Sequence, residues 1–542
     1  MGKMYTEEDL NKLDKDMLIT LFLGLQEQMA NLNQNMELLR EQIALMNQRK
    51  FGRSSEKNVV DSNAQGYMQD VDGELTVVFN EMDACYNNVC VEPVEEEVYP
   101  ALKKRTRRPK GKRETDLSSF PCRVEMHELS DEQLHEIFGD KWKRLPDEVY
   151  KRLEYYPASH IVVEHHIAVY AGNDNQTIIK ADRPVDLLKN SIVTPSLEAA
   201  ILNGKYVNAM PLYRIEQEFL RDDIHISRQT MSNWTIRCAE NYLNLLYDYL
   251  HQKMYDYHVL QADETPVLVN KDGRAAGSKS YMWVYRTGEM YREHPIVLYD
   301  YQKTRKQDHP EEFLKQFEGV LVTDGYQVYH SLEEKREDLN VAGCWSHARR
   351  KFAEVVKTFK SRNTATKTLA NTALKQIQAM YRIEESLSSL NPNERKEQRQ
   401  LSVKPLVEAF FAWLKEHRTD VPEKSATGKA ITYCLNQEKY LRYFLIDGEV
   451  PMDNNAAERA IRGFCIGKKN WVMIDTIAGA KASAIIYSIS ETAKANHIST
   501  YNYFKYLLTE IPKHMNDKNL DFLEGLLPWS ETLPEECKKT KK

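Results

Sequence analysis

Several features that would point to a function are missing from this 542-residue sequence. No apolar run approaches the roughly 20 residues that a bilayer-spanning helix needs, and the first residues, MGKMYTEEDL, lack the pattern of a signal peptide. The eight cysteines form neither CxxC pairs nor a disulfide-like spacing, which predicts free thiols in a reducing cytosol. We therefore expect a cytoplasmic protein with no membrane partner.

The sequence also has no overall excess of positive charge. Its formal net charge is −6, and 28% of its residues are charged. Any contact with nucleic acid must then come from local basic patches. The length predicts several domains, with roughly three to four as the starting expectation.

A heptad repeat occupies the first 50 residues, which we predict to form a leucine-zipper-like coiled coil. Apolar residues recur every seven positions in two registers: Leu18, Leu25, Leu32, Leu39 and Met46, and Phe22, Met29, Met36 and Ile43. Such a seam predicts a homodimer or higher oligomer through residues 18–46. The alternative is an amphipathic helix packed on its own domain.

The next segment, residues 51–114, is a linker of acidic and basic stretches. Its basic run at 103–113 suits DNA phosphates, with Arg105, Arg107, Arg108 and Lys110 as candidates, and is equally typical of a solvated linker. Residues 115–190 then predict a small α+β module, whose Cys122 has no partner cysteines for a metal site.

Residues 191–250 predict a helical region. One helix covers Leu212–Leu220, and Ser227 caps a second helix that runs through Trp234. This spacing predicts a helix-turn-helix with Arg228 and Asn233 available to a DNA groove, although an ordinary helical pair has the same pattern.

A change to strand patterns begins at residue 257. We predict strands at Tyr257–Ala262, Lys279–Arg286, Pro295–Tyr301, Gly319–Thr323 and Val341–Trp345, a short helix at Glu311–Phe317, and a basic helix starting at His347. Three strands, a helix, then alternating strand and helix is the order of a ribonuclease H-like α/β core. We predict that the first part of this core covers 251–353 and that its last part covers 446–475, with a helical insertion at 354–445 between them. A C-terminal helical region with a charged tail follows at 476–542.

Three carboxylates carry the candidate chemistry. Asp263 and Asp324 each end a predicted strand, where ligands gather in α/β sheets. Glu458 lies in the first turn of a helix predicted within Met452–Trp471, although Asn455 with Glu458 three residues on is also a capping-box spacing. Hard oxygen donors suit Mg²⁺, and two such ions can activate the attacking oxygen and stabilise the leaving oxygen of a phosphoryl displacement.

At this point the sequence resembles a known family, the insertion sequence 66 (IS-66 type) DDE transposases. The resemblance rests on QADETPV, VTDGYQVY, CWSHARRKF and MDNNAAERAIRGFCIGKKNWV in this order, on GAKASAIIYSISETAKAN at 479–496, and on the zipper and RKFGRSSEK near the N-terminus. It implies that Asp263, Asp324 and Glu458 are the catalytic, metal-binding triad, with Mg²⁺ as the metal and Mn²⁺ as a substitute. It also implies a bacterial, nucleoid-associated protein that helper proteins of the same element accompany.

One segment departs from the family pattern. Members commonly carry a small zinc-binding module with two CxxC-type pairs, whereas this chain has PCR at 121–123, YYPAS at 155–159 and AGND at 171–174. We therefore interpret 115–190 as a degenerate zinc-finger region and do not expect zinc.

Neighbouring residues receive separate interpretations. Glu264 should point away from the crevice, and Asp453 suits a helix cap better than a metal. The tentative DNA contacts near the triad are Arg349, Arg350, Arg459, Arg462, Lys468 and Lys469.

The sequence thus predicts a multidomain α/β transposase of an insertion sequence. It would bind the terminal inverted repeats of its element, hydrolyse a phosphodiester to free a 3′-hydroxyl, and join that hydroxyl to target DNA. Two alternatives remain: a catalytically inactive DNA-binding repressor or decayed element product, and a ribonuclease H-like nuclease without strand transfer.

Overall fold

The structure, a computed structural model, describes most of the chain from residue 160 onward. The described residues are 160–167, 169–171, 178–180, 185–275, 277–359 and 368–539, with scattered positions between 15 and 29 and the segments 67–69 and 75–77. They belong to two compact units: Met1–Tyr99 with Asp186–Lys539, and Pro100–Val185 with Thr540–Lys542.

Two short antiparallel strand pairs precede the main sheet. In the first unit β1 (Tyr67–Gln69) pairs with β2 (Leu75–Val77), and in the second β3 (Val169–Ala171) pairs with β4 (Ile178–Lys180). Phe22 and Met29 of the predicted heptads are helical and exposed. The remaining heptad positions, the basic run at 103–113 and most of the 115–190 module lie outside the described residues.

A mixed six-stranded sheet forms the centre of the first unit. Its strands are β5 (Val259–Lys271), β6 (Lys279–Thr287), β7 (Val297–Gln302), β8 (Gly319–Thr323), β9 (Leu339–Gly343) and β10 (Ile474–Thr476). The order is β7-β6-β5-β8-β9, with β10 also paired to β5. Strands β5, β6 and β7 are antiparallel neighbours, whereas β8, β9 and β10 run parallel to β5.

The side chains of strand β8 alternate between two hydrophobic cores. Its sequence, GVLVT, is almost wholly apolar, as expected of a parallel strand that is covered on both faces. Because side chains alternate along a strand, Leu321 joins the core that contains Trp283, while Val320 and Val322 join the core that contains Trp345. The sheet is therefore buried between two helical layers.

Fifteen α-helices are described in the first unit from Pro195 onward. They are α1 (Pro195–Leu202), α2 (Leu212–Arg221), α3 (Arg228–Cys238), α4 (Asn244–Met254), α5 (Asp308–Phe313), α6 (Gln327–Lys335), α7 (Trp345–Lys357), α8 (Leu369–Ser386), α9 (Pro392–Gln398), α10 (Lys404–Glu416), α11 (Ala426–Asn436), α12 (Glu438–Leu441), α13 (Asn455–Trp471), α14 (Ile477–Ala495) and α15 (Thr500–Glu510). Short π-helical or 3₁₀ turns occur at Asn203–Val207, Ala239–Leu243, Arg399–Val403, Tyr443–Leu445, Ile511–His514, Asp521–Leu526 and Glu535–Cys537.

Helix α14 covers the outer edge of the sheet. The backbone N–H groups of Val297 and Tyr299 in β7 donate to the hydroxyls of Thr492 (3.0 Å) and Ser488 (2.7 Å) in α14. An edge strand with unpaired N–H groups invites pairing with another chain. Hydroxyl-bearing residues on the buried face of α14 satisfy that edge within the molecule.

Helices α8–α12 lie between α7 and α13, in the segment predicted to be a helical insertion. A fully buried arginine, Arg399, ties this insertion to the segment that follows it. Its guanidinium donates to the carboxylate of Glu384 and to the carbonyls of Phe444 (2.8 Å), Asp447 (2.8 Å) and Val450 (2.9 Å). A buried charge that satisfies this many acceptors anchors the chain just before α13.

The five strands predicted between residues 257 and 345 are present, four of them with shifted ends. Strand β8 has the predicted bounds, and Ser227 caps α3 by accepting from the N–H of Thr230 at 3.1 Å. The helix predicted at 311–317 instead covers Asp308–Phe313. Among the described residues, no helix is long and apolar enough to cross a membrane.

Candidate active site

Asp263 and Asp324 lie level with each other on neighbouring strands. Strands β5 and β8 pair in parallel up to Gln261 opposite Val322, and two residues further along each chain stand the two aspartates. Gly325, with φ of 89°, turns the chain immediately after Asp324, a backbone conformation that favours glycine. Both carboxylates therefore occupy the carboxyl end of the parallel pair.

The interpretation that Asp263 ends its strand is wrong. Strand β5 continues to Lys271, because its other neighbour, β6, keeps pairing past Asp263, which stands opposite Val284. The end of the parallel pairing with β8, and not the end of a strand, marks the position of Asp263.

Glu458 reaches the same region through a tethered helix start. Asn454, which precedes α13, donates from Nδ2 to the carbonyl of Ala262 (2.8 Å) and accepts from the side chain of Gln261 (3.3 Å). Glu458 follows in the first turn and is 4% exposed. The residue next to Asp263 in the chain thus holds the helix that carries Glu458.

The capping-box interpretation of Asn455 and Glu458 is wrong. Asn455 lies inside the helix, and the capping position belongs to Asn454, whose side chain is bound to the sheet and makes no capping hydrogen bond. The side chain of Asp453 accepts from the N–H of Asn455 at 3.0 Å, in agreement with its predicted cap-like role.

Electrostatics show that these carboxylates are close together. Burial raises the pKa of Asp263 well above its ordinary value, and the carboxylates of Glu264, Asp324 and Glu458 raise it further. Burial and Asp324 raise the pKa of Glu264 from 4.5 to about 7, although Arg305 opposes this shift. Such a concentration of negative charge suits a cation.

Glu264 is held differently from the other three. Its Oε1 accepts from Arg305 (Nε, 2.7 Å), and its Oε2 accepts from the hydroxyl of Tyr329 at 3.1 Å. Arg305 in turn lies over the ring of Tyr326, 3.7 Å from its centre. Glu264 therefore has protein partners for both oxygens, and its charge contributes to the raised pKa of Asp263. Sequence reasoning missed Arg305, which stands in a loop without a motif.

Cationic side chains line the other side of Glu458. Arg350 Nη2 lies 3.3 Å from Oε2 of Glu458, and His347 Nδ1 lies 3.6 Å from Oε1. Burial alone would lower the pKa of His347, but the Cys344 sulfur, Asp324 and Glu458 raise it to about 10. The basic start of α7 thus faces the first turn of α13.

Arg462 lies one turn beyond Glu458 on the same helix. Within the described part of the chain, its Nε and Nη2 atoms are buried without a hydrogen-bond partner. Burial lowers its pKa, while Glu458 opposes that change. Buried donors without acceptors are costly, so this guanidinium is suited to an anionic ligand such as a phosphate.

The other tentative DNA contacts are less directly related to the carboxylates. Arg459 forms an exposed ion pair with Glu289, and Lys468 donates to the carbonyl of Pro266 at 2.8 Å. Arg349 and Lys469 are half-buried. Arg105, Arg107, Arg108 and Lys110 lie outside the described residues.

Two tyrosines of the insertion hold the backbone around the site. The hydroxyl of Tyr433 donates to the carbonyl of Asp324 at 2.9 Å, and that of Tyr381 donates to the carboxylate of Asp453 at 3.0 Å. The insertion therefore contacts the segments of two candidate ligands. No sequence signal marked these residues, because each contact joins positions far apart in the chain.

These features define a mixed α/β protein with a buried acidic site that suits a divalent cation and a phosphate group. The comparisons with known proteins agree with that class. The model of the Transposase IS66 family matches residues 190–482, that of the IS66 C-terminal element matches 488–529, and that described as Transposase C of IS166 homeodomain matches 38–121. The chain belongs to the IS66 family of insertion-sequence transposases, and DNA is its partner.

Relatives from Sinorhizobium fredii cover similar parts of the chain. The uncharacterized protein y4qI is 29% identical over 389 residues, which is 70% of each chain. The uncharacterized protein y4hP is 26% identical over 403 residues, or 72% of each chain. The uncharacterized protein y4jD is 28% identical over 361 residues, or 65% of this chain and 69% of its own.

Proposed function

We propose that this transposase acts by DDE chemistry, with Asp263, Asp324 and Glu458 as its catalytic carboxylates. The observation that carries the proposal is their convergence: strand register sets the two aspartates side by side, and Asn454 ties the helix of Glu458 to the same strand. The strand order β7-β6-β5-β8-β9, with only the first three strands antiparallel, supports a ribonuclease H-like core.

The same carboxylates fit a divalent cation. They are hard oxygen donors, and their proximity already raises the pKa of Asp263, so a cation would relieve their repulsion. Asp263, Asp324 and Glu458 would hold Mg²⁺, with Mn²⁺ as a substitute. When bound, the metal would supply charge stabilisation for the attacking and leaving oxygens of a phosphodiester.

The surrounding residues have separate tasks in this proposal. Arg462 and Arg350 would bind the phosphate being attacked, because their charges lie beside Glu458. Asn454 and Tyr433 would keep the carboxylates in place through the backbone of Ala262 and Asp324. None of these residues forms a covalent bond with DNA.

The reaction itself has two displacements. Water attacks the phosphorus at the element end, the bond to the 3′-oxygen breaks, and a free 3′-hydroxyl results. That hydroxyl then attacks a phosphodiester of target DNA, so that one phosphodiester forms as another breaks. The second displacement needs no external energy source because the number of phosphodiester bonds is conserved.

The remaining segments would bring DNA to this site. We assign end pairing to the coiled coil of residues 1–50, phosphate contacts to the linker at 51–114, and further contacts to the 115–190 module and the helices of 191–250. The homeodomain match over 38–121 supports DNA contact in the N-terminal part. The core is divided as 251–353 and 446–475 around the insertion at 354–445, with 476–542 as a C-terminal helical region.

A cleavage and joining assay tests the proposal. Purified full-length protein is given labelled element ends, Mg²⁺ and a target plasmid. Wild-type protein should yield joined products, and Asp263→Asn should abolish cleavage and joining while end binding survives. Asp300→Asn is the matched control, since Asp300 is a sheet carboxylate whose pKa burial raises to about 6, outside the proposed triad.

Each other outcome has a defined meaning. Nicked ends without joined products would support the nuclease, and binding alone would support the repressor or decayed product. Undiminished cleavage by Asp263→Asn would remove the triad assignment.

A further inference from the structure

A cysteine and a histidine lie beside Glu458 in an arrangement that the proposed reaction does not use. Cys344 is the residue before α7, His347 lies in the first turn of α7, and Glu458 lies in the first turn of α13. One ligand atom from each, the sulfur, a ring nitrogen and a carboxylate oxygen, all lie within 4.8 Å of one another. In the part of the chain that is described, this is the group found with such geometry.

The donors in this group differ in kind from those of the proposed Mg²⁺ site. Mg²⁺ takes oxygen ligands in proteins, whereas a thiolate with an imidazole and a carboxylate is typical of Zn²⁺ and similar ions. Three protein ligands would leave a fourth position for water or a phosphate oxygen.

A backbone N–H group beside the sulfur would support a bound metal thiolate. Cys344 is 1% exposed, and its Sγ accepts the backbone N–H of Asn454 at 3.2 Å. A hydrogen bond to a ligating sulfur stabilises its deprotonated form and fixes its orientation. Asn454 also tethers α13 to the sheet, so one residue would orient both Glu458 and the sulfur.

We propose that Cys344, His347 and Glu458 form an inhibitory site for Zn²⁺. Binding releases the thiol proton of Cys344 and the imidazolium proton of His347 to solvent, and it draws the Glu458 carboxylate to the zinc ion, away from Asp263 and Asp324. Zn²⁺ would thereby compete with Mg²⁺ for one shared ligand. The binding site stands on the geometry alone, while the inhibition rests on the proposed function.

Cobalt binding tests the site without any need for activity. Full-length protein is freed of metal with a chelator and titrated with Co²⁺, whose thiolate complexes absorb in the near ultraviolet. Wild-type protein and Asp263→Asn should both show this absorption. Cys344→Ser should lose it, and His347→Gln should weaken Co²⁺ binding by about tenfold or more, because even outer-shell changes cost 10–100-fold.

A matched control separates this site from other thiols. Cys434 is also fully buried but belongs to helix α11 of the insertion, so Cys434→Ser should keep the absorption. No thiolate absorption in wild-type protein, or unchanged absorption in Cys344→Ser, would overturn the proposed site. Retention of the signal in Cys344→Ser with loss in Cys434→Ser would do the same.

The inhibitory role has its own measurement. Cleavage of labelled ends at fixed Mg²⁺ should fall as Zn²⁺ is added, and added Mg²⁺ should restore it. In Cys344→Ser the Zn²⁺ concentration for half inhibition should rise by about tenfold or more. Equal inhibition of wild-type protein and Cys344→Ser would overturn the inhibitory role. If wild-type protein cleaves nothing, the proposed function fails while the Co²⁺ result stands.

Discussion

Replacing Asp263 by asparagine should make the metal-free protein more stable while it abolishes activity. Asp263 is half-buried among three other carboxylates, and this burial together with their charge raises its pKa well above its ordinary value. Asparagine has the same shape, and its side-chain oxygen can still accept the N–H of Glu264, which lies 2.8 Å from Oδ1 of Asp263. The substitution therefore removes repulsion and keeps the local hydrogen bond.

The size of the expected gain in stability follows from the repulsion between the carboxylates. Two unit charges 4 Å apart repel by about 4 kcal/mol at an effective dielectric constant of about 20. Retention of a proton by Asp263 caps this cost, since each unit of raised pKa corresponds to about 1.4 kcal/mol. We expect Asp263→Asn to raise the free energy of unfolding by up to about 4 kcal/mol, and Tm by up to about 8 °C at about 2 °C per kcal/mol.

Mg²⁺ should oppose this difference in stability between wild-type protein and Asp263→Asn. A cation that binds only the folded protein stabilises it by about 2.7 kcal/mol at a hundred times its dissociation constant. Wild-type protein should gain that amount, and Asp263→Asn should gain much less because it lacks a ligand. Thermal unfolding with and without Mg²⁺ measures both effects, with Asp300→Asn as the control that should keep the full Mg²⁺ response. A metal-free Asp263→Asn protein less stable than wild type, or an equal Mg²⁺ response in both, would refute the reasoning.

Three further predictions concern the same site. Tyr433→Phe removes the hydrogen bond to the carbonyl of Asp324, so it should lower the free energy of unfolding by about 1 kcal/mol and raise the Mg²⁺ concentration for half-maximal cleavage. Binding of element ends in a gel-shift assay should stay unchanged. The control is Tyr249→Phe, which removes a hydroxyl that binds Glu524. Arg462→Ala should slow single-turnover cleavage by about 100-fold, as expected when one donor to a reacting phosphate is lost; a cleavage rate within a factor of two of wild type would contradict the phosphate role. Burial and Asp324 raise the folded-state pKa of Glu264 from 4.5 to about 7, so its contribution to the stability of the metal-free protein falls as pH rises from 4.5 to about 7. The increase in Tm that Mg²⁺ causes should therefore grow over the same pH range. An increase in Tm that does not depend on pH would contradict this.

Much of the sheet could be predicted from local pattern. The apolar runs of β6 and β8 are short, contain β-branched and aromatic residues, and end in turn signals, so their bounds follow closely from sequence. The position of Asp324 directly after β8 follows for the same reason. These features depend on residues that are neighbours in the chain.

Other features depend on partners that local pattern does not reveal. Strand β5 continues past Asp263 only because β6 remains paired with it, and the register with β8 decides that Asp324 stands beside Asp263. The same limit applies to Asn454, whose amide was available for a helix cap but binds the carbonyl of Ala262. A polar side chain with two competing partners takes the one that the tertiary structure brings near, and sequence spacing cannot rank them.

The buried guanidinium of Arg399 limits how this protein can change during evolution. It joins helices of the insertion to the carbonyls of Phe444, Asp447 and Val450, directly before the helix of Glu458. Excision of 354–445 would leave the carbonyls of Asp447 and Val450 without their donor and the start of that helix without its anchor. The insertion can therefore be inherited or exchanged only together with the segment that follows it, so a shortened descendant would need a new anchor before it could transpose.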